Sequence, residues 1–277
     1  MSRTRRSFRT GKRLRPLAEF APDARRKIRG VFCDIDDTLT TEGRLTAEAY
    51  DALERLQHSG ILLVPVTGRP AGWCDHIARM WPVDAVVGEN GAFYFRYERE
   101  AQRMIRRFVD ADGVREEHRR RLREIAVEIL AHVPGAAIAS DQQYRETDLA
   151  IDFCEDVPRL PDSAVERIVD LMRLRGLTAK TSSIHVNGWF GVYDKLTMTR
   201  TLMHECFGAD LDSARERYVF VGDSPNDAPM FDYFPYAIGV ANLREFGSRV
   251  EHLPAYVTER ACGAGFREAA DYILASR

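Results

Sequence analysis

The sequence predicts an α/β fold, with a Rossmann-like, doubly wound parallel sheet as the core and an α+β domain inserted into it. Three observations predict this fold. Short, almost uninterrupted apolar runs indicate strands that are buried on both faces, as in a parallel sheet. Helical patterns separate these runs, as crossover connections do. Between about residues 92 and 190 the pattern changes to alternating segments and helices, and afterwards the first pattern returns.

The first part of the core alternates strands and helices. The run GVFCDI is apolar enough for a central strand, and ILLVPV and DAVVG repeat the same signal. After the first run, Ala49, Leu53 and Leu56 recur at helical spacing, and Gly60 ends that helix. The predicted elements are strands at 30–35, 61–66 and 84–88 and helices at 46–58 and 71–80.

The inserted domain is predicted at residues 92–190. Its first segment, AFYFRYE, is aromatic and alternating, which indicates an antiparallel strand with one exposed face. Two helical patterns follow, each with apolar residues along one side. The predicted elements are a strand at 92–98, a helix at 114–132, a strand at 148–154, a helix at 164–175 and one or two strands within 178–191.

The core pattern resumes after the insert. The run YVFVGD predicts another buried strand, and this one ends in an acid. The predicted elements are helices at 195–207 and 265–275 and strands at 218–223, 237–240 and 255–258. The core therefore comprises residues 29–91 and 191–277.

Charge is unevenly distributed, although the net charge of the chain is −2. Residues 1–30 contain eleven Lys or Arg and two acids, so we predict a basic, disordered arm at residues 1–28. A polyanion-binding arm or an address signal is the alternative. The balanced remainder favours neither nucleic acid nor membrane as a partner. Five scattered cysteines without a CxxC pair predict reduced thiols and a cytoplasmic location.

Three carboxylates stand directly after the first predicted strand, in CDIDDTLT. Asp34, Asp36 and Asp37 would repel one another there unless a cation neutralised them. Oxygen ligands favour a hard ion such as Mg²⁺. An acidic turn in which Asp37 or Thr38 caps a helix is the alternative.

Three further polar features are predicted at the same edge of the sheet, where open parallel sheets bind ligands. Thr67 and Gly68 follow the second strand and could hold phosphate oxygens through a hydroxyl and backbone N–H groups. Lys195 begins the helix after the insert. Asp223 ends a strand, and Asp227 follows it by four residues. A turn role for Thr67 and a solvated surface position for Lys195 are the alternatives.

Taken together, these residues resemble the motifs of the haloacid dehalogenase superfamily of phosphohydrolases. The superfamily pattern is DxDx[TV], then Ser or Thr, then Lys, then GDxxxD. The corresponding residues here are Asp34 to Thr38, Thr67, Lys195 and Gly222 to Asp227. The insert follows GENGA and lies between the Thr and Lys motifs. It resembles the α+β cap of the type IIB, Cof-like subfamily, which includes sucrose-phosphate and mannosyl-phosphoglycerate phosphatases.

The resemblance implies a phosphatase that depends on Mg²⁺ and passes the phosphoryl group through Asp34. Asp34, Asp223 and the backbone carbonyl of Asp36 would bind the metal ion. Asp36 would act as general acid and then general base. Thr67 and Lys195 would hold the phosphoryl oxygens. Three further residues would support this machinery: Asp227, Asn226 and Gly68.

The cap of such enzymes implies where substrate choice is made. Its polar residues Arg145, Glu146, His185 and Asn187 are candidate contacts for a sugar phosphate. For each of them a surface or structural role is the alternative. Trp189 is predicted to pack between cap and core.

Two other functions remain open. A phosphosugar mutase on the same scaffold would return the phosphoryl group to another hydroxyl. A receiver-like signalling domain would also use clustered acids, a Thr and a Lys, but receivers lack the DxD pattern at the first strand and the large insert. The expected partner is a small phosphorylated molecule, and the expected assembly is a monomer or a homodimer.

Overall fold

The computed structural model describes residues 14–277. The strands are β1 Arg15–Pro16, β2 Gly30–Cys33, β3 Thr40–Thr41, β4 Arg44–Leu45, β5 Leu62–Pro65, β6 Val86–Gly88, β7 Phe93–Glu98, β8 Arg103–Phe108, β9 Ala137–Ile138, β10 Asp148–Asp152, β11 Thr178–Thr181, β12 His185–Trp189, β13 Tyr218–Gly222, β14 Ile238–Gly239 and β15 Tyr256–Val257. The helices are α1 Pro22–Arg26, α2 Ala47–His58, α3 Ala71–Met80, α4 Asp112–His132, α5 Asp162–Leu174, α6 Lys195–Phe207, α7 Leu211–Ala214, α8 Ala228–Tyr233 and α9 Cys262–Leu274.

A six-stranded parallel sheet forms the core, in the order β1-β15-β14-β13-β2-β5. Strand β2 lies between β13 and β5, so that Val31 is paired with both Val219 and Leu63. A single parallel bridge between Val66 and Val87 continues the sheet towards β6. The carboxyl ends of these strands meet at one edge, where the predicted motifs follow them.

Both faces of this sheet are covered, which explains the apolar runs in its strands. From β2, Val31 and Cys33 pack on the side of α2, α3 and α9. Phe32 packs on the opposite side with residues of α6 and α8. The predicted doubly wound α/β core is therefore confirmed.

The insert builds a second sheet of four antiparallel strands in the order β11-β12-β10-β9. Apolar residues of α4 and α5 pack with these strands in a separate hydrophobic core. The side chains of His185, Asn187 and Trp189 share one face of β12, because alternate residues of a strand point to the same side. Lys180 of β11 lies directly opposite Asn187.

The hairpin β7–β8 lies differently from the prediction, which placed its first strand in the insert. Strand β7 pairs with β6, so that Phe95 lies opposite Val86. Phe93 and Phe95 are buried in the same hydrophobic cluster as α2, α3 and α9. This hairpin therefore packs with the core, and the separate core of the insert draws on residues from α4 onward.

Part of the predicted disordered arm is ordered, which corrects that prediction for residues 15–28. Strand β1 pairs in parallel with β15. Leu17, Phe20 and Ile28 are buried, and the ring of Phe20 stacks on Tyr256 with centroids 4.8 Å apart. The prediction rested on the charges of residues 1–30, and a count of charges does not detect these buried apolar residues. The arm's residues 1–13 lie outside the described residues.

Two general predictions concern the environment of the chain. All five cysteines are free. Within residues 14–277, no helix has the length and apolar character that crossing a bilayer requires.

Candidate active site

Asp34 stands at the carboxyl edge of the sheet because β2 ends one residue before it. Its backbone N–H donates to the carbonyl of Val221 at 2.9 Å, which ties it to β13. The chain then turns sharply: Asp37 has a φ of 55°, and the N–H groups of Leu39 and Thr40 donate to the carbonyl of Ile35. This turn makes the observed strand two residues shorter than predicted, and it leaves the Asp34 side chain buried at the edge.

Lys195 joins two carboxylates that are far away in the sequence. Its Nζ lies 2.9 Å from Oδ1 of Asp34 and 2.8 Å from Oδ1 of Asp227, and all three side chains are buried. The helix start fixes its position, since Asp194 caps α6 by accepting from the N–H of Thr197 at 2.7 Å. The structure therefore excludes a solvated surface position for Lys195.

Asp223 completes a cluster of three buried acids. Carboxylate oxygens of Asp34, Asp223 and Asp227 lie within 4.8 Å of one another. Asp223 receives longer contacts, at 3.4 Å, from the hydroxyl of Thr38 and the amide of Asn242. The other oxygen of Asp227 accepts from the backbone N–H groups of Asp223 and Ser224. Both oxygens of Asp227 are thus occupied, which leaves Asp34 and Asp223 with the freer carboxylates.

The electrostatics of this cluster fit a cation. Burial raises the pKa of Asp34 to about 7, with added repulsion from Asp227 and Asp36, although Lys195 acts in the opposite direction. Burial and the neighbouring Asp34 and Asp227 also hold the pKa of Asp223 well above its usual range. One ammonium group does not neutralise three buried carboxylates. The oxygen donor set suits a hard divalent ion such as Mg²⁺.

Thr67 and Gly68 lie just after β5. Thr67 is fully buried, and its hydroxyl oxygen accepts from the N–H of Arg69 at 3.0 Å. Its carbonyl accepts from the N–H of Asn90 at 3.0 Å. Gly68 allows the amide of Asn90 to approach closely, because a Cβ at residue 68 would lie only 3.1 Å from Nδ2 of Asn90.

Asp36 is held by a residue that the sequence analysis missed, Arg69. Nε of Arg69 donates to Oδ1 of Asp36 at 2.9 Å. The same guanidinium contacts two acids of the insert, Glu155 at 2.6 Å and Asp141 at 3.2 Å, and lies over the ring of Trp73. Arg69 follows the Thr-Gly pair directly, but nothing in the sequence signals its acidic partners.

Three of the four predicted cap residues reach the site. Arg145 is buried between Asp141 and Asp148, and it donates to the carbonyl of Gly68 at 2.8 Å. The amide of Asn187 donates to Asp148 at 2.9 Å. The contact of Arg145 with Gly68 joins the insert to the loop after β5, and Asn187 holds the Asp148 that pairs with Arg145.

The third of these residues, His185, reaches the site through a carboxylate. Its Nε2 lies 2.9 Å from Glu155, the acid that also binds Arg69. Burial alone would raise the pKa of Glu155, but the close contacts of His185 and Arg69 with its carboxylate lower the pKa to about 2. Glu155 is therefore an anion that contacts Arg69 of the core and His185 of the insert.

Glu146 is the fourth, and the structure places its side chain elsewhere. Its carboxylate lies 2.5 Å from Arg119 and 3.8 Å from Arg115, two residues of α4. Its backbone N–H is what faces the core, and this group donates to the carboxylate of Glu89 at 2.9 Å. The prediction that its side chain contacts a substrate is thus not supported by its position.

Glu89, in the GENGA segment, was also missed as a linking residue. Its buried carboxylate accepts from the N–H of Ala71 at 3.0 Å on the core side. On the insert side it accepts from the N–H groups of Glu146 and Thr147, at 2.9 and 2.6 Å. A single carboxylate therefore joins the start of α3 to the segment before β10.

A narrow cavity lies between the two sheets. The core lines it with Asp34, Asp36, Gly68, Arg69 and Asn226, and the insert with Arg145, His185 and Asn187. The structure thus gathers residues separated by up to 192 positions around a carboxylate that is paired with an ammonium group. Such a set can present a nucleophile and bind an anionic group beside it.

Comparisons with known proteins identify relatives of this chain. A family model described as haloacid dehalogenase-like hydrolase matches residues 31–132. The phosphoglycolate phosphatase of Haloarcula marismortui is 30% identical over 241 residues, which make up 86% of this chain and 94% of that protein.

Two solved structures share the fold. The sucrose-phosphatase of Synechocystis sp. PCC6803, solved with sucrose and phosphate, has a TM-score of 0.61 at 16% identity and covers 90% of this chain and 98% of its own. A haloacid dehalogenase subclass IIB sugar phosphatase has a TM-score of 0.57 at 13% identity and covers 88% and 96%. At these identities the similarity concerns the fold.

Proposed function

The chain belongs to the haloacid dehalogenase-like hydrolases, and we propose that it hydrolyses a small phosphorylated metabolite through a covalent phosphoryl intermediate on Asp34. Within that family it is a phosphatase of subclass IIB, that is, a phosphoric monoester hydrolase. The proposal concerns its mechanism, its metal ion and its substrate.

The observation that carries the proposal is the position of Lys195. Its Nζ contacts the proposed nucleophile Asp34 and the supporting Asp227, at 2.9 and 2.8 Å. An ammonium group there keeps the Asp34 carboxylate in place and can bind phosphoryl oxygens as their charge develops. Thr67 and Gly68 offer a hydroxyl and a backbone on the loop after β5.

The reaction then follows in two steps. An oxygen of Asp34 attacks phosphorus, and the bond between phosphorus and the ester oxygen breaks while Asp36 gives that oxygen a proton. Water next attacks phosphorus, Asp36 accepts a proton from it, and the bond to Asp34 breaks to release phosphate. The hydrogen bond from Arg69 holds the Asp36 carboxylate at the cavity, where both proton transfers would take place.

The proposed metal ion is Mg²⁺. The carboxylates of Asp34 and Asp223 and the backbone carbonyl of Asp36 would hold it, while Asp227 keeps Lys195 in position. When bound, Mg²⁺ would offset the repulsion between an anionic nucleophile and an anionic phosphate ester. The raised pKa values of Asp34 and Asp223 support this proposal because they indicate carboxylate charge that the protein leaves uncompensated.

Two substrate classes are proposed. A sugar phosphate fits the fold shared with sucrose-phosphatase and with a subclass IIB sugar phosphatase. Phosphoglycolate is the second candidate, because the Haloarcula marismortui relative that aligns with 86% of the chain carries that name. A phosphosugar mutase stays an alternative, and it would yield an isomeric sugar phosphate instead of free phosphate.

The test is phosphate release by the Asp34→Asn variant over a panel of sugar phosphates, phosphoglycolate and p-nitrophenyl phosphate. Asparagine keeps the shape of the side chain but is a poor nucleophile, so we expect turnover to fall by roughly four orders of magnitude or more while the fold is retained. Asp51→Asn, on the exposed side of α2, is the matched control and should retain full activity.

A chelator arm of the same experiment tests the metal ion. We expect EDTA to abolish turnover of the wild-type enzyme and added Mg²⁺ to restore it. Turnover by Asp34→Asn in a single-turnover assay would refute the nucleophile, whereas full activity in EDTA would refute the metal ion alone.

A further inference from the structure

The guanidinium of Arg69 is held by a carboxylate on each of two edges. On the first edge is Asp36, whose Oδ1 lies 2.9 Å from Nε and 2.8 Å from Nη2. On the second edge is Glu155 of the insert, with Oε1 2.6 Å from Nη2 and Oε2 3.4 Å from Nη1. Because a guanidinium is planar and its donors form a rigid fork, a carboxylate on the second edge also fixes the donors that point at Asp36.

Glu155 is fixed in turn by the fold of the insert. The buried carboxylate of Asp152, at the end of β10, accepts from the backbone N–H groups of residues 154–156, at 2.8, 2.7 and 2.8 Å. At the other end of the side chain, Nε2 of His185 lies 2.9 Å from Oε2 of Glu155. The backbone and the carboxylate of Glu155 are therefore both held, so that it can support Arg69 in one position.

Asp141 is another acid of the insert that contacts Arg69, but it is the weaker support. Its Oδ2 lies 3.2 Å from Nη1 of Arg69, and its two oxygens also accept from Arg145, at 3.1 and 3.3 Å. Glu155 has the shorter contact and reaches two nitrogens of the guanidinium. Loss of the Glu155 carboxylate would leave the second edge of a buried cation to Asp141 alone, so that Arg69 could rotate and its contacts with Asp36 would loosen.

We propose that Glu155 is a positioning residue for proton transfer: acting through Arg69, it holds the Asp36 carboxylate in the orientation from which Asp36 gives the ester oxygen its proton. Arg69 and Asp36 line the narrow cavity, whereas Glu155 contacts two of the lining residues, Arg69 and His185. The inference rests on the proposed function, because it takes Asp36 as the proton donor. It gives the insert a part in the chemical step.

The test compares two aryl esters that differ in one group, p-nitrophenyl phosphate and phenyl phosphate. Nitrophenolate leaves without a proton, whereas phenolate, whose conjugate acid has a pKa of about 10, leaves faster when it receives one. The measured quantity is kcat/KM, which reports the steps up to release of the phenol.

The variant is Glu155→Gln, whose amide offers Arg69 one acceptor oxygen in place of two. We expect its kcat/KM for phenyl phosphate to fall about tenfold or more, because a misplaced acid transfers its proton less efficiently. For p-nitrophenyl phosphate the change should be less than about twofold, since no proton is needed in that step.

Two controls make this result specific. Retained turnover of p-nitrophenyl phosphate shows that Glu155→Gln is folded. Glu166→Gln removes the same charge from an exposed position on α5 of the insert, and it should leave kcat/KM for both esters unchanged.

A double-mutant cycle tests whether Glu155 acts through Arg69. Arg69→Ala removes the connecting guanidinium, so Glu155→Gln should cause no further loss of kcat/KM in that background. The cycle uses phenyl phosphate or any alkyl ester that the wild type hydrolyses, because each of these leaving groups benefits from a proton. A loss in the Arg69→Ala background as large as in the wild type would overturn the connection through Arg69.

The outcomes separate this inference from the proposed function. Equal losses for the two aryl esters in Glu155→Gln, or no loss for either, would overturn the positioning role and leave the phosphatase intact. If the wild type released phosphate from none of these aryl and alkyl esters, the proposed function would be refuted and the positioning role with it.

Discussion

At the scale of single residues, the site depends on one ammonium group among three buried carboxylates. Lys195 contacts Asp34 and Asp227, while Asp223 lies in the same cluster without a cation of its own. Removing one partner of a buried ion pair is far more costly than removing an exposed charge. The cluster is therefore both the proposed catalytic centre and a place where the protein is electrostatically unbalanced.

This imbalance predicts how stability depends on pH in the absence of metal ions. The folded-state pKa of Asp34 is about 7, above its ordinary value of 3.8, so the folded state binds the proton more tightly than the unfolded state. Asp34 therefore costs no stability below about pH 3.8. As pH rises from about 3.8 to about 7, ionisation of Asp34 lowers the free energy of unfolding. Urea unfolding of the EDTA-treated protein at pH 5 and pH 7 measures this decrease in the free energy of unfolding.

The Asp34→Asn variant is the control for that prediction. Asparagine does not titrate, so the fall in stability between pH 5 and pH 7 should be smaller in the variant than in the wild type. Equal pH dependence of the two proteins would contradict the raised pKa of Asp34.

At the scale of elements, much of the chain was predictable because propensity and tertiary packing agree. The helices α3 and α6 were predicted at their observed bounds, and in the structure Pro70 precedes the first and Asp194 caps the second. The strand β8 was not predicted, because RMIRRF carries three arginines and lies at a hairpin edge. The ordered structure of residues 15–28 was not predicted either. Their few apolar residues pack against β15 and α9, which are remote in sequence.

Arg69 shows what element packing adds to the site. The loop after β5 carries it, and it contacts Asp36 of the core together with Glu155 and Asp141 of the insert. Its partners come from three separate segments that meet when the insert packs over the sheet. No local pattern identifies such a residue.

The Arg69→Ala variant should loosen this contact between the domains. Glu155 would lose a buried cationic partner and Asp36 would lose the donor that holds it, so we expect kcat/KM to fall about ten- to a hundredfold. Amide hydrogen exchange should become faster in residues 141–155, which carry the partners of Arg69.

Arg79→Ala is the matched control for that variant. Arg79 is exposed on α3 and pairs with Asp75 four residues earlier, a pair that contributes little. Unchanged hydrogen exchange in residues 141–155 of Arg69→Ala would contradict a linking role for Arg69.

At the scale of the whole molecule, the parallel sheet brings the motifs together. Asp34, Thr67 and Asp223 follow three strands whose carboxyl ends share an edge, and this much could be predicted from the order of apolar runs. The position of the insert over that edge could not be predicted, because it depends on buried hydrogen bonds such as those that Glu89 accepts from Ala71 and Thr147. The catalytic core is therefore easier to predict from the sequence than the substrate-binding side.

The central claim is that Asp34 becomes covalently phosphorylated, and rapid acid quenching followed by peptide mass spectrometry tests it most directly. The Asp36→Asn variant should be given p-nitrophenyl phosphate, whose leaving group needs no proton, so that the first step proceeds while the second is slowed. We expect a burst of p-nitrophenol of at most one equivalent per enzyme and a phosphoryl group on the peptide that contains Asp34. Phosphate release without any covalent label, or a label on another residue, would contradict the account.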